Sequence, residues 1–349
     1  MKTLVALALV VATIVAAVMI YRAEPDTLDQ RLKAEQERES TMKHPSPSVV
    51  LSINASQPSS LVRAANANAR SPMAQEFATA RSLKPLYDRL SAPNGAATGE
   101  AKFLLYKVLA TCGKIADMRT PRPAKDRATQ RRELEAMIPE SNPDRAKRLA
   151  LFDQMTARCE GLENVATSKA ELDKLLADAA ASGDAKAQAR LAVPPMVNGP
   201  NGTRLTMSDE QFHALQAAVA SRDPEAIVIA GTALSNTYDD AVLRIGSNQD
   251  ELVPRASMEA WRLTACEYGL ECGSDSAILQ SACVDHGQCA ANTVQDQVFY
   301  YGVSPYEAQL IDQYRQVFRN AIANNDWSGL ALSRQPNTSG NRWIYNTWP

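Results

Sequence analysis

The chain has 349 residues, with 37 Lys and Arg against 39 Asp and Glu; a net charge of −2 gives no global pull toward nucleic acid or an anionic membrane. Aromatic residues make up 6% and only 15 are glycine, a composition that favours helices over a sheet sandwich. The length accommodates one large domain or two.

Residues 1–21 carry Lys2 and then an apolar run at 4–20, interrupted only by Thr13, before Arg22. Such a run directs export. It is longer than most signal-peptide cores and just long enough to span a bilayer, so it reads as a membrane anchor. A cleaved signal peptide ending near Val15-Ala16-Ala17 is the alternative. Either way the body is expected in the periplasm or cell envelope, touching the membrane through this segment alone. Within residues 22–72, a charged helix at 26–40 precedes a Ser-, Pro- and Asn-rich tether with a coil reach of roughly 30 Å.

Residues 73–335 read as the helical domain. Phe77, Leu83, Leu86, Tyr87 and Leu90 predict one helix, and Phe103, Leu104, Tyr106, Leu109 and Ala110 a second that carries Cys112. The stretch 118–132 is basic (Arg119, Arg122, Lys125, Arg127, Arg131, Arg132) and broken by Pro121 and Pro123. Because Glu133, Glu135 and Glu140 follow and no aromatic residue interleaves, it reads as a solvated connection rather than a surface for an anionic partner. Leu149, Leu151, Phe152 and Met155 mark a further helix ending at Cys159, the natural partner of Cys112.

Three helix starts are signed by capping boxes, in which a hydroxyl accepts one free amide and a longer side chain returns to another: Ser168 with Glu171, Ser208 with Gln211, Ser304 with Glu307. After Ser304, Leu310, Ile311, Tyr314, Val317, Phe318, Ala321 and Ile322 form one apolar stripe, read as core. Residues 194–207 read as a loop around Asn198-Gly-Pro-Asn-Gly202, and no stretch alternates long enough to demand a strand.

Four cysteines crowd into 259–291 as two C-x5-C units. Met258, Trp261, Ala265 and Tyr268 share a helix face, and Gly269 can take the left-handed conformation that stops it. Ser274 or Asp275 is placed to cap a second helix bearing Ile278, Leu279 and Ala282, which Gly287 ends. The near-duplication predicts disulfides Cys266 with Cys272 and Cys283 with Cys289. A zinc site is the alternative, but zinc cysteines usually stand closer in sequence and only His286 lies nearby. The C-x-x-C form of a thiol oxidoreductase is missing here.

One turn recurs: Thr98-Gly-Glu-Ala-Lys102, Ser182-Gly-Asp-Ala-Lys186, Ser221-Arg-Asp-Pro-Glu225 and Asn324-Asn-Asp-Trp-Ser328 each follow an apolar helix and are expected to open another. Residues 175–191, LLADAAASGDAKAQARL, resemble the Sel1-like, tetratricopeptide-related repeats through Ala179, Gly183, Asp184, Ala185, Ala187, Gln188 and Leu191, and 215–234 match less closely. The resemblance covers about a quarter of the chain. It implies an all-α fold of stacked antiparallel helical hairpins, stapled by disulfides, acting as a protein-binding scaffold. A single irregular bundle is the competing architecture.

Chemistry is sparsely signed. Three histidines are present: His44 in the tether, His213 beside Phe212, and His286 beside Asp285. No zinc-protease, phosphate-loop, nucleophile-elbow or dinucleotide motif appears, and no catalytic, cofactor-binding or metal-ligating residue is assigned. Glu259, Glu267 and Glu307 are the acids to inspect for a glycan-cleaving pair. The tail, 336–349, offers Trp343, Tyr345 and Trp348 as candidate partner contacts, with docking onto the helical body as the other reading. The expected function is therefore an extracytoplasmic module binding another envelope protein, without nucleic acid or cofactor. The rivals are an envelope enzyme acting on cell-wall glycan and an inhibitor or immunity-type protein.

Overall fold

A computed structural model describes residues 71–115, 127–199 and 202–334. All of them belong to the second of the chain's two units, Pro58–Pro349. The anchor or signal segment, the charged helix and tether, the basic residues Arg119, Arg122 and Lys125, and the aromatic tail lie outside the described residues.

The described chain is mostly helical, with 13 α-helices. In chain order these are α1 (Pro72–Thr79), α2 (Lys84–Ser91), α3 (Gly99–Cys112), α4 (Arg127–Met137), α5 (Arg145–Ala157), α6 (Lys169–Ala181) and α7 (Ala185–Ala192), followed by α8 (Asp209–Ala220), α9 (Pro224–Leu234), α10 (Pro254–Glu267), α11 (Ala277–His286), α12 (Val294–Gln297) and α13 (Pro305–Asn324). All three predicted capping boxes form, opening α6, α8 and α13. Gly269 and Gly287 both adopt positive φ, 102° and 70°, in the turns after α10 and α11.

Two boundaries differ from the sequence reading. The helix expected across 77–90 is two, α1 and α2, because the chain leaves helical geometry at Ala80 and Pro85 then begins a new first turn. The cap of α11 is Ser276, whose hydroxyl accepts from Leu279 N, rather than Ser274 or Asp275.

Strands also occur, contrary to the expectation of none. β1 (Lys114–Ile115) pairs parallel with β2 (Ala166–Thr167), and β3 (Val197–Gly199) antiparallel with β4 (Gly202–Arg204) inside the predicted loop. The larger sheet has the order β6 (Asp250–Glu251), β5 (Ala241–Ile245), β7 (Leu330–Arg334), all antiparallel. β5 alternates buried and half-buried positions, but only over five residues with Val242 on its outer side, too brief for a period-two signal.

Successive helices pack in a chain: α3 on α6, α6 on α7, α7 on α8, α8 on α9, α9 on α10, and α10 on α13. The main core runs through all of these, from Phe103 to Leu330. Its centre is Trp261, whose ring stacks on Phe318 of α13 with centroids 3.6 Å apart and planes 6° from parallel. Trp261 also rests against Gly231 of α9, where an added Cβ would lie 2.3 Å from Trp261 Cγ. A second core gathers Leu83, Leu86, Leu90, Leu104 and Leu172 around α2, α3 and α6, and a third, small one joins α4 and α5 to Val284 of α11.

All three predicted disulfides form: Cys112 with Cys159, Cys266 with Cys272 and Cys283 with Cys289. Bonds of this kind persist in an oxidising, extracytoplasmic compartment. Among the described residues, no helix is long and apolar enough to cross a membrane.

Candidate functional site

The four recurring turns are the local structure from which a site is built. In the second and third, the acidic residue caps the next helix as predicted: Asp184 Oδ1 accepts from Ala187 N at 2.9 Å, and Asp223 Oδ1 from Glu225 N and Ala226 N, each at 2.9 Å. In the first turn Thr98, not the acid, caps α3, accepting from Ala101 N at 3.1 Å. The fourth departs further. Asn325 takes the left-handed conformation with φ 51°, Asp326 accepts from Ser328 N, and the chain enters β7 instead of a helix.

These turns lie side by side in sequence order. Lys102 of the first donates to Ser182 Oγ of the second at 2.8 Å. Gly99 brings α3 so close that a Cβ there would sit 3.0 Å from Ala179 O. Lys186 of the second turn, buried, bridges the two capping acids, 3.3 Å from Asp184 and 3.4 Å from Asp223. Burial opposes its charge, but Asp223, Asp184, Glu225 and Glu100 together outweigh this and hold the Lys186 ammonium above its usual range. The ring of Phe103 lies 5.5 Å beneath the same ammonium. Arg222 of the third turn donates to Ala323 O, just before the fourth, at 3.0 Å.

Between the third and fourth turns is an open depression of about 570 Å³, lined by His213, Gln216, Ala217, Ala220 and Ser221 of α8 and its end, and by Asn325 and Trp327. Its floor is small and apolar. Trp327 makes one wall, half-buried, its indole N–H donating to Asn325 Oδ1 at 3.1 Å. His213 hydrogen-bonds Gln216 Oε1 through Nδ1 at 3.0 Å, and the Ser221 hydroxyl donates to Ala218 O at 2.6 Å. Both polar groups are held in local bonds, and the depression offers an aromatic wall and a polar rim. A second depression of about 590 Å³, on α4 and α5, is walled by charges that satisfy each other: Arg131 with Asp153 at 3.0 Å and Arg145 with Glu135 at 3.1 Å.

Each of the acids singled out from sequence is engaged by partners of its own. Glu307 accepts from Ser304 N and Oγ in its capping box, at 2.8 and 2.9 Å. Glu267 is gripped by Arg315 and, through two bonds of 2.6 Å, by Arg319; burial pushes its carboxyl up, but the two guanidinium groups outweigh that and hold it below the usual range. Glu259 is buried with Arg262 2.9 Å away; burial pushes its carboxyl up, against the opposing pull of Arg262 and Arg255. Glu259 and Glu267 sit eight residues apart on α10, roughly 12 Å along its axis, and neither lines a depression described here. His286 is exposed in the last turn of α11, and the six cysteines are all in disulfides. Among the described residues, no group of three or more His, Cys, Asp or Glu is placed to hold a metal ion. Trp343, Tyr345 and Trp348 lie outside the described residues.

Sequence reasoning passed over Lys186, Trp327 and three exposed tyrosines, Tyr300, Tyr301 and Tyr306. Trp327 stood inside a turn already recognised as recurrent, and its size in a segment of small polar residues was the available signal. Lys186 carried none, because a lysine beside an aspartate normally reads as a solvated pair. No family model matches the chain, and no curated protein or solved structure is significantly similar to it.

Proposed function

We propose that the chain is an extracytoplasmic protein-binding module, in which stacked antiparallel hairpins of a degenerate Sel1-like type offer a groove to another envelope protein. The observation that carries this reading is the row of recurring turns, linked by Lys102, Lys186 and Arg222. α6 with α7 and α8 with α9 are each a hairpin closed by one of these turns, and neither can bury its apolar side alone. Registering turn against turn stacks the pairs and leaves a groove where the row ends. There Trp327 supplies a rigid, amphipathic anchor of the type that dominates protein interfaces. The apolar segment at 4–20 supplies the tether to the membrane in this reading.

The test is affinity capture from envelope extract with the full chain, with an Ala217→Arg variant, and with a chain lacking residues 336–349. Ala217 is exposed on the floor of the depression, so arginine there fills the groove without entering the core. The expected result is a partner recovered by the full chain and lost, by tenfold or more in affinity, with Ala217→Arg. Recovery of no protein partner, or recovery unaffected by Ala217→Arg, would reject the reading.

One observation favours an inhibitor-type alternative. α4 and α5 form a hairpin held to the body by a small core, Leu134, Ile138, Leu149 and Val284, with Leu151, Phe152 and Met155 half-buried against it and Met137 72% exposed. If that hairpin is the binding element, Met137→Asp abolishes capture while Ala217→Arg leaves it intact.

A further inference from the structure

The surface where α12 passes into α13 is built differently from the rest of the molecule. After Val294–Gln297 the helix widens into a π-helical turn, Val298–Gly302, before Ser304 starts α13. Val298 is fully buried and Phe299 packs against the main core, which anchors the segment. Tyr301, three residues after Val298, would share its inward face in an ordinary α-helix; the wider turn carries it out instead, 45% exposed. Tyr300 is 80% and Tyr306 64% exposed, which makes three solvent-facing phenol rings within seven residues. Large apolar side chains concentrated in this way on a soluble surface mark an interaction site.

Charge along the stretch of chain that carries the tyrosines says what it accepts, although Lys147 and Arg148 reach into it at Cys289 O and Val284 O. From residue 263 to residue 314 the chain contains no Lys or Arg but seven acids: Glu267, Glu271, Asp275, Asp285, Asp296, Glu307 and Asp312. The remainder of the chain is therefore net positive by five, since it holds all 37 bases and the other 32 acids. Glu267 is neutralised by Arg315 and Arg319, and Asp312 shares Arg315 at 3.3 Å. Asp296 and Glu307 turn their carboxylates back to the helix starts at Thr293 and Ser304, the first before Tyr300 and the second between Tyr301 and Tyr306, and among the described residues neither is in an ion pair. Phenol rings attract cations through their negative faces, and nearby carboxylates add to that field while repelling an acidic partner.

We propose that Tyr300, Tyr301 and Tyr306, with Asp296 and Glu307, form a docking surface for a Lys- or Arg-rich segment of a partner protein. The proposal rests on the reading of the chain as a protein-binding module but uses a surface other than the Trp327 depression. The cationic heads settle over the rings, and the partner's aliphatic stems cover the apolar ring edges.

Fluorescence anisotropy with the full chain tests it, using a labelled peptide of alternating Lys and Gly, a matched peptide of alternating Glu and Gly, and a soluble peptidoglycan fragment as probes. The cationic peptide is expected to bind more tightly as salt is lowered, with the acidic peptide and the glycan fragment not binding. Tyr300→Ser with Tyr306→Ser is expected to weaken the cationic peptide about tenfold, and Tyr300→Phe with Tyr306→Phe to restore it, because the ring rather than the hydroxyl carries the contact. Both positions are exposed, so circular dichroism should be unchanged in either variant. Binding of the glycan or the acidic peptide instead, or equal cationic binding by the serine variant, would overturn the proposal. Failure of capture through the Trp327 depression would leave these outcomes as they are, so the two readings fail separately.

Discussion

Gly231 and Trp261 set a tight constraint at the centre of the main core. An alanine at 231 meets two opposed effects: helix propensity favours it over glycine by up to ~1 kcal/mol, while its methyl group would fall 2.3 Å from Trp261 Cγ. The tryptophan is held in place by Phe318, whose ring stacks on it with centroids 3.6 Å apart, and by its complete burial. Overpacking of this kind costs about 1–3 kcal/mol, so the clash wins. Gly231→Ala is expected to lower the urea midpoint without changing the slope of the transition. A variant as stable as the parent or more so would show that propensity governs there and that the ring has room to move.

At the scale of elements, α10 and α13 are joined by that aromatic stack and by the grip of Arg315 and Arg319 on Glu267. The folded-state pKa of Glu267 lies below its unfolded value, so its contribution is present above roughly pH 4.3 and is lost as pH falls through the folded value. With Arg319 45% exposed the contribution is discounted for solvent, to about 1 kcal/mol. Glu267→Gln is expected to be less stable than the parent at neutral pH, with the two denaturation curves converging below about pH 4. A difference that persists unchanged into acid would assign the effect to packing instead.

These elements also show what the sequence made legible. The capping boxes at Ser168, Ser208 and Ser304 could be read because each is a local exchange of hydrogen bonds within one turn. The disulfides could be read because C-x5-C occurs twice around helix-stopping glycines. What stayed hidden is non-local. β5 becomes a strand through pairing with β7, some ninety residues later, so neither five-residue segment announces itself. Tyr301 faces out only because the helix widens after Gln297, which no periodicity from the α-helix foretells. Lys186 reaches Asp223 only once α7 packs on α8 and α9.

For the whole described body, the distribution of buried residues predicts where it opens. α9 buries Ala226, Ile227, Ile229, Ala230, Gly231, Ala233 and Leu234, whereas α4 buries only Leu134 and α5 only Leu149. The α4 and α5 pair is held on by Val284, by Arg148 donating twice to Val284 O at 3.0 and 2.7 Å, by Lys147 donating to Cys289 O at 2.6 Å, and by the disulfide that follows α5. The disulfide limits how far the pair can travel but adds nothing to the hydrogen bonds inside it. Local opening free energy follows apolar burial, so α4 and α5 are expected to exchange amide hydrogens through a sub-global opening well below the global unfolding free energy. The amides of α9 and α10 should exchange only at that global limit. Substituting Arg148 with Ala removes two anchoring bonds and is expected to speed exchange in α4 and α5 by roughly tenfold while leaving α9 unchanged. Equal protection of the two regions, or an Arg148→Ala effect that spreads to α9, would mean that the hairpin and the main core open as one cooperative unit.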